Sequence, residues 1–349
     1  MLQDLRQLQA QQGASFEDEV AVSFGQAGTE IAAAQTMVAL YDRSHWGRIE
    51  VTDVDRLNFL HNQSTNTLKL RQPGEGCDTV LITSTARTID LATVYILDQS
   101  VLLTVSPQMT DRVMQFLDRY IFFADKVKLT DVTEQTAMFS LIGPTSHEVI
   151  AEIGVSELVD RPYGTHMQAN IAGCNLRIAV GSGLAMPGYT LWMSVEDAAT
   201  VWAAFMEMKI VPMGDRAWEQ FRIQQGRPAI NHELTEDYNP LEAGLWHLIS
   251  FNKGCYIGQE TIARLDTYNG VKQQLWGVQL AQPVDLGTPV CVEAEKVGKV
   301  TSLVAEPSGT YRGLVYVRTK VGGAGLRVSI GEEVVDLLDL PYLTRTKQS

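Results

Sequence analysis

Cysteine, basic charge and long apolar runs are all scarce in this sequence, and each scarcity excludes a class of protein. The 349 residues hold only four cysteines, Cys77, Cys174, Cys255 and Cys291, with no C-x-x-C pair. Such spacing argues against a disulfide scaffold and against an all-cysteine zinc site. The six histidines are equally scattered, without an H-E-x-x-H pair, so no metal site is expected. Lys and Arg number 28 against 41 Asp and Glu, a net charge of −13. That balance excludes a general nucleic-acid binder, which needs clustered cations, yet leaves room for a local basic pocket. No apolar run approaches the roughly 18 residues of a membrane span. The N-terminus has no basic segment followed by an apolar one, so no signal peptide is expected. A reducing, cytoplasmic setting is the expectation.

Familiar catalytic signatures are missing too. Gly181-Ser-Gly-Leu-Ala-Met lacks the third glycine of a dinucleotide fingerprint, Gly298-Lys299 is followed by valine rather than Ser or Thr, and no G-x-S-x-G elbow occurs. Hydride transfer on a Rossmann sheet, NTP hydrolysis and serine hydrolysis are therefore poor readings.

What is present is an ordinary globular composition, 45% hydrophobic and 20% charged, in a chain long enough for two or three domains. Residues 1–36 read as a peripheral, loosely packed segment of one or two helices. Asp53 reads as the N-cap of a helix with Val54, Leu57 and Leu60 on its apolar stripe. Strand-like alternation follows at 80–83, 90–97 and 100–105. Helical spacing covers 108–120, and Phe122–Leu129 returns to strand. Beyond Gly143-Pro144 come a helix at 146–152, strands at 175–180 and 189–195, and a helix at 196–208. From 271 to 349 short strands at close intervals predict a separate β-barrel. The whole is an α+β chain.

The most informative stretch is Lys253-Gly-Cys-Tyr-Ile-Gly-Gln-Glu260. Gly254 and Gly258 bracket a cysteine and an aromatic, and Gln259–Leu265 reads as a helix behind them. A nearby lysine and a helix N-terminus both favour a thiolate at Cys255. The alternative is a small buried cysteine beside a glycine turn.

This block closely resembles the signature of the YgfZ family of folate-binding proteins, relatives of the T-protein (aminomethyltransferase) of the glycine cleavage system. Three further segments carry the resemblance in the same order. Tyr41-Asp-Arg-Ser-His-Trp-Gly-Arg-Ile-Glu-Val is similar to the Y-D-x-S-H-x-G-x-x-x-V of T-protein. Phe221-Arg-Ile-Gln-Gln-Gly-Arg-Pro resembles its R-x-E-x-G-x-P segment, and Pro240-Leu-Glu-Ala-Gly-Leu its P-x-E-A-G-L. Together they cover about residues 40–265.

Departures from the T-protein pattern choose the branch. Where T-proteins carry G-G-x-x-D-D, this chain reads Ala86-Arg-Thr-Ile-Asp90-Leu91, keeping one carboxylate. Where they carry a glutamate that grips the pterin, Thr190 stands here. A hydroxyl cannot reproduce the paired hydrogen bonds of a carboxylate on an amino-pyrimidinone edge. Both point away from aminomethyl transfer.

The resemblance implies a three-domain cloverleaf, with residues 37–270 forming two intertwined α+β folate-binding domains (the smaller layer at about 52–134) ahead of the barrel. It implies tetrahydrofolate or a derivative in a central channel, and Cys255 as the functional thiol with Lys253 beside it. It further implies an accessory role in assembly or repair of iron–sulfur clusters in client enzymes, tRNA-modifying ones among them. Partners would be those clients or their assembly machinery. Folate needs an apolar slot, a polar group on the pterin edge and cations for its tail. Asp90, Tyr189, Arg222, Arg227, Trp246 and Tyr256 are the candidates, each with an alternative in ordinary packing or, for Asp90, a strand-edge surface position. Glu242 reads as a structural residue that caps the next helix. The rival activity is that of a tetrahydrofolate-dependent aminomethyltransferase.

Overall fold

Leu5 and Gln9, on the first helix, are among the most buried residues of the chain. The computed structural model describes residues 2–347, and loose packing at the N-terminus is not what it contains. Helix α1 (Gln3–Gln11) seats Leu5 in the largest apolar core. Gln9 donates a 2.9 Å hydrogen bond to Asp42, which Arg6 also pairs, and Trp202 donates to Gln12 at 2.9 Å. A polar, glutamine-rich helix is thus held by buried polar bonds, which composition alone does not reveal.

The described residues fall into two compact units. The first comprises 2–59, 68–78 and 92–218, and the second 60–67, 79–91 and 219–347. In the first, α1 is followed by the hairpin β1 (Ser15–Glu17) and β2 (Val20–Ser23), then α2 (Ala27–Thr36), β3 (Ala39–Asp42) and β4 (Gly47–Thr52). Helix α3 (Arg56–Gln63) precedes β5 (Gly76–Ile82), which passes from the first unit into the second, and β6 (Thr88–Ile96), which returns to the first. Next come β7 (Ser100–Val105), α4 (Thr110–Asp118), β8 (Lys128–Asp131), β9 (Thr136–Ile142) and α5 (Ser146–Glu152). The unit ends with β10 (His166–Ile171), β11 (Cys174–Val180), β12 (Gly188–Ser194), α6 (Ala198–Glu207), β13 (Val211–Met213) and the start of α7 (Asp215–Gln225).

One sheet of this unit has the order β10-β11-β12-β9-β3-β13, antiparallel except for the β3–β13 pair. Alternation along β12 sends Tyr189, Leu191 and Met193 to the face where Val201, Trp202 and Phe205 of α6 complete the core. Thr190 and Trp192 face the other way, where Trp192 stacks on Tyr95 at 4.6 Å. A second sheet has the order β5-β6-β7-β4-β8.

Two local readings need correction here. Asp53 is not an N-cap: its φ is +78°, its carboxylate accepts from the Val54 amide, and the helix begins only at Arg56. Val54 is therefore exposed rather than on an apolar stripe. Nor is Phe122 in a strand. The Asp125 carboxylate accepts from the Phe122 amide and closes a turn, so strand pairing starts only at Lys128.

The second unit holds α8 (Gln259–Thr267) and the strands β14 (Gln273–Leu280), β15 (Pro289–Val292), β16 (Glu295–Ala305), β17 (Tyr311–Arg318), β18 (Arg327–Ile330) and β19 (Glu333–Asp336). Their order is β14-β17-β16-β15-β18-β19. Gly277 exchanges two hydrogen bonds with Leu338, at 2.9 and 2.8 Å, which curls the sheet back onto its first strand as a barrel. Val278, Val290, Val300, Val315 and Ile330 fill it.

Candidate functional site

Five of the eight expected site residues lie around one apolar cluster of the second unit, and a sixth, Asp90, lies in the strand that borders it. Trp246 and Tyr256 belong to it, with Ile82, Ala86, Leu91, Ile262 and Tyr342. Asp90, next to Leu91 on β6, is completely buried, which removes the surface alternative, and strand alternation sends its side chain to the face opposite the one Leu91 turns to the cluster. One of its oxygens accepts from the Leu91 amide at 2.9 Å. Arg227 is buried beside the same cluster, its guanidinium 5.7 Å from the centre of the Tyr342 ring. Burial in this environment pushes the Tyr256 phenol well up, so it stays protonated as a donor.

The loop 253–258 is framed with unusual care. Lys253 is buried, and its ammonium donates to the carbonyls of His61 (2.5 Å), Ser64 (2.7 Å) and Asn66 (2.7 Å). Three converging carbonyls suit the three N–H groups of an ammonium. The same nitrogen lies 4.8 Å above the Tyr256 ring. At the other end, Gly258 takes φ +79° as the N-cap of α8. A Cβ there would come within 2.6 Å of the Thr83 carbonyl oxygen, so only glycine fits. Between these two anchors Cys255 is exposed, while Cys77 is buried and Cys174 and Cys291 are intermediate. The alternative of a buried core cysteine is thereby excluded.

Facing that loop is the turn between β5 and β6. Thr83 and Arg87 close it through a 2.8 Å hydrogen bond, and Ala86 sits inside it at φ +60°. The left-handed backbone at this alanine carries a strain of about 1 kcal/mol.

Two expected residues lie elsewhere. Tyr189 is in the core of the first unit, its hydroxyl 2.7 Å from His147 Nδ1. It points away from the face that carries Thr190, because consecutive strand residues alternate. Arg222 has no donor left for a ligand. Its five N–H groups meet Glu219 twice (2.7 and 2.5 Å), Glu233 (3.0 Å), Ser302 Oγ (2.9 Å) and the Arg227 carbonyl (3.4 Å). Burial alone would lower its pKa, but Glu233 and Glu219 outweigh burial and hold the guanidinium above its usual range. It acts as a structural ion-pair centre.

Sequence reading missed Glu233, which is fully buried and also accepts from Ser302 at 2.6 Å. Nothing local marks it, since Ser302 is distant in the chain. Glu242 is structural but caps no helix: residues 240–244 form a turn, and the short helix at Trp246–Leu248 has no side-chain cap. Within the turn its carboxylate accepts from the Asn239 amide at 3.1 Å, and Asn239 Oδ1 accepts from the amides of Leu241 and Glu242 at 3.0 Å each.

Comparisons with known proteins agree with this architecture. The profile of the GCVT N-terminal domain family matches residues 1–253. A chloroplastic protein of Arabidopsis thaliana, provisionally named a transferase, is 43% identical over 335 residues, covering 95% of this chain and 78% of that one. An aminomethyltransferase of Halalkalibacterium halodurans is 28% identical over 298 residues, covering 82% and 80%. The crystal structure of the glycine cleavage system aminomethyltransferase T of Bartonella henselae superposes with a TM-score of 0.86 at 17% identity, covering 99% of both chains. The chain belongs to the GCVT family of folate-binding, transferase-like proteins, and its fold is the α+β fold of aminomethyltransferase T with a C-terminal β-barrel. Among the described residues no helix is long and apolar enough to cross a membrane, and no cluster of His, Cys, Asp and Glu is arranged to hold a metal.

Proposed function

We propose that this protein belongs to the YgfZ branch of the family. In this reading it is a folate-binding accessory factor that supports assembly or repair of iron–sulfur clusters in client enzymes, tRNA-modifying ones among them. The observation that carries the reading is the exposed Cys255 on a loop pinned at both ends by Lys253 and Gly258. A loop held this rigidly presents its thiol at a fixed position, which suits repeated contact with a partner or a cluster precursor. The role of Cys255 goes with a reducing compartment, because the thiol must stay free; the cytoplasm is the compartment proposed, whereas the Arabidopsis relative is named as chloroplastic.

The residues present fit tetrahydrofolate. Asp90 would be a buried acceptor for an N–H of the pterin or its neighbouring nitrogens, Trp246 and Tyr256 would supply aromatic walls, and Arg227 would be a buried cation for the tail. When bound, the folate would supply a one-carbon acceptor or donor nitrogen. Asp90 would orient that nitrogen or take its proton, and the apolar walls would exclude water. Arg222 and Tyr189 take structural roles instead.

Calorimetric titration with tetrahydrofolate tests the ligand. Asp90→Asn should weaken binding about tenfold or more, the loss of one charge-assisted hydrogen bond. Absence of binding at saturating folate would overturn the reading. Cys255→Ser should retain folate and fold while losing support of iron–sulfur enzymes in cells.

A second reading, aminomethyl transfer, is favoured by the relatives named aminomethyltransferases. Thr190 counts against it. Supplied with tetrahydrofolate and an aminomethyl-lipoyl carrier protein, this chain should release no ammonia above background.

A further inference from the structure

Basic side chains gather in one part of the second unit of this acidic chain. Two adjoining clefts of the second unit, of about 600 and 190 Å³, share Gln273 and Arg318 in their walls. Lys272 and Lys320 line the larger, and Lys296 and Lys299 the smaller. Five of the chain's 28 basic residues therefore converge on one groove, in a protein of net charge −13.

The barrel strands create this convergence. Antiparallel register sets Gln273 opposite Arg318 and Lys299 opposite Tyr316. Thr319 then ties the ends of β14 and β17 together, its amide bonded to the Lys272 carbonyl at 2.9 Å and its hydroxyl to the Val271 carbonyl at 2.8 Å. Lys272 and Lys320 are thus held on either side of a fixed floor. Lys299 lies 5.4 Å over the Tyr238 ring, which stacks on Tyr316 at 3.8 Å. Carboxylates lie near the cations without lining the clefts: Glu295 pairs with Arg318 at 2.7 Å, buried Glu242 interacts with Lys272, and Asp237 acts on Tyr238. The cations outnumber them.

We propose that this groove is a binding site for a small polyanion bearing two or more phosphate or carboxylate groups. The larger cleft has the volume of a small-molecule site. A groove this short, on a chain otherwise repelling phosphate, does not suit the extended basic track of a nucleic-acid binder. Neither stacked tyrosine is exposed as a platform for a base, so recognition rests on the anionic groups. The site is independent of the folate reading, since it uses none of the residues assigned to folate.

The test is calorimetry on the full chain at low salt, with inorganic tripolyphosphate in one arm and a triglutamate peptide in the other. At least one should bind saturably with a Kd below about 1 mM and weaken steeply with added salt, and the tighter arm names the source of the anion. Lys272→Ala combined with Lys320→Ala should weaken it about tenfold. Glu295→Gln, which releases Arg318 from its partner, should tighten it about threefold. Lys126→Ala combined with Lys128→Ala, in the first unit, should leave it unchanged. All these side chains are surface groups, and an unchanged melting temperature verifies the fold of each variant. The proposal is overturned by non-saturable heats in both arms. It is equally overturned by a Lys272/Lys320 double variant that binds as the parent does.

Discussion

The ammonium of Lys253 stands 2.7 Å from the carbonyl oxygen of Ser64, in a buried position where it also meets the carbonyls of His61 and Asn66. These three acceptors lie at and just beyond the end of α3, where carbonyls have no helical partner. A lysine within the signature block is therefore a clamp that fixes the loop carrying Cys255. Lys253→Met keeps the apolar stem and strands the three carbonyls. It should cost about 3 kcal/mol in urea unfolding. Lys253→Arg should not restore it, because a planar fork cannot converge on three carbonyls as an ammonium does. Wild-type stability in the Met variant would show that the clamp contributes nothing.

The Arg222 network predicts an asymmetry. Glu233 is fully buried, whereas the Glu219 side chain is 41% exposed. Glu233→Gln leaves part of a buried guanidinium uncompensated and should destabilise by about 3–5 kcal/mol. Glu219→Gln should cost under about 1 kcal/mol, because water can replace a half-exposed partner. Denaturant midpoints of the two variants decide this, and equal costs would contradict it.

Thiol labelling should follow exposure. Cys255 should react first and the buried Cys77 last. Cys174 should lag behind Cys255 even at equal access, since burial and then Asp197 raise its thiol pKa. Gly258→Ala forces the backbone away from Thr83 and should loosen the loop, lowering stability by about 2 kcal/mol. Mass spectrometry of timed alkylation gives the order directly, and a Cys77 that labels before Cys255 would refute the exposed-loop geometry.

His166 predicts acid sensitivity. It packs edge-on against Tyr95 and Trp192, and burial followed by the nearby Arg177 lowers its pKa from 6.5 to about 4. Below pH 6.5 the unfolded chain takes up a proton that the folded chain refuses. The contribution of neutral His166 is thus complete above pH 6.5 and disappears as pH falls toward 4, a change on the order of 3 kcal/mol. Stability curves of the parent and His166→Gln should converge across that window. Parallel curves would remove His166 as the cause.

Much of the chain was determined by its sequence alone. Apolar periodicity and breakers place β15 at Pro289–Val292 and α5 at Ser146–Glu152 without help from distant contacts. The order of four motifs, ending in Lys253–Glu260, carries the family, because those residues sit at backbone positions few others tolerate, Gly258 above all. Tertiary structure alone decided which polar side chains are already saturated by partners. Arg222 and Arg227 look alike in sequence, but the partners that saturate Arg222 include Ser302, 80 residues away. Tyr189 and Thr190 are neighbours whose side chains leave β12 on opposite faces, so only the burial of one face assigns Tyr189 to a core. Whether a polar group is available depends on desolvation and on partners from distant segments, and no local pattern encodes either.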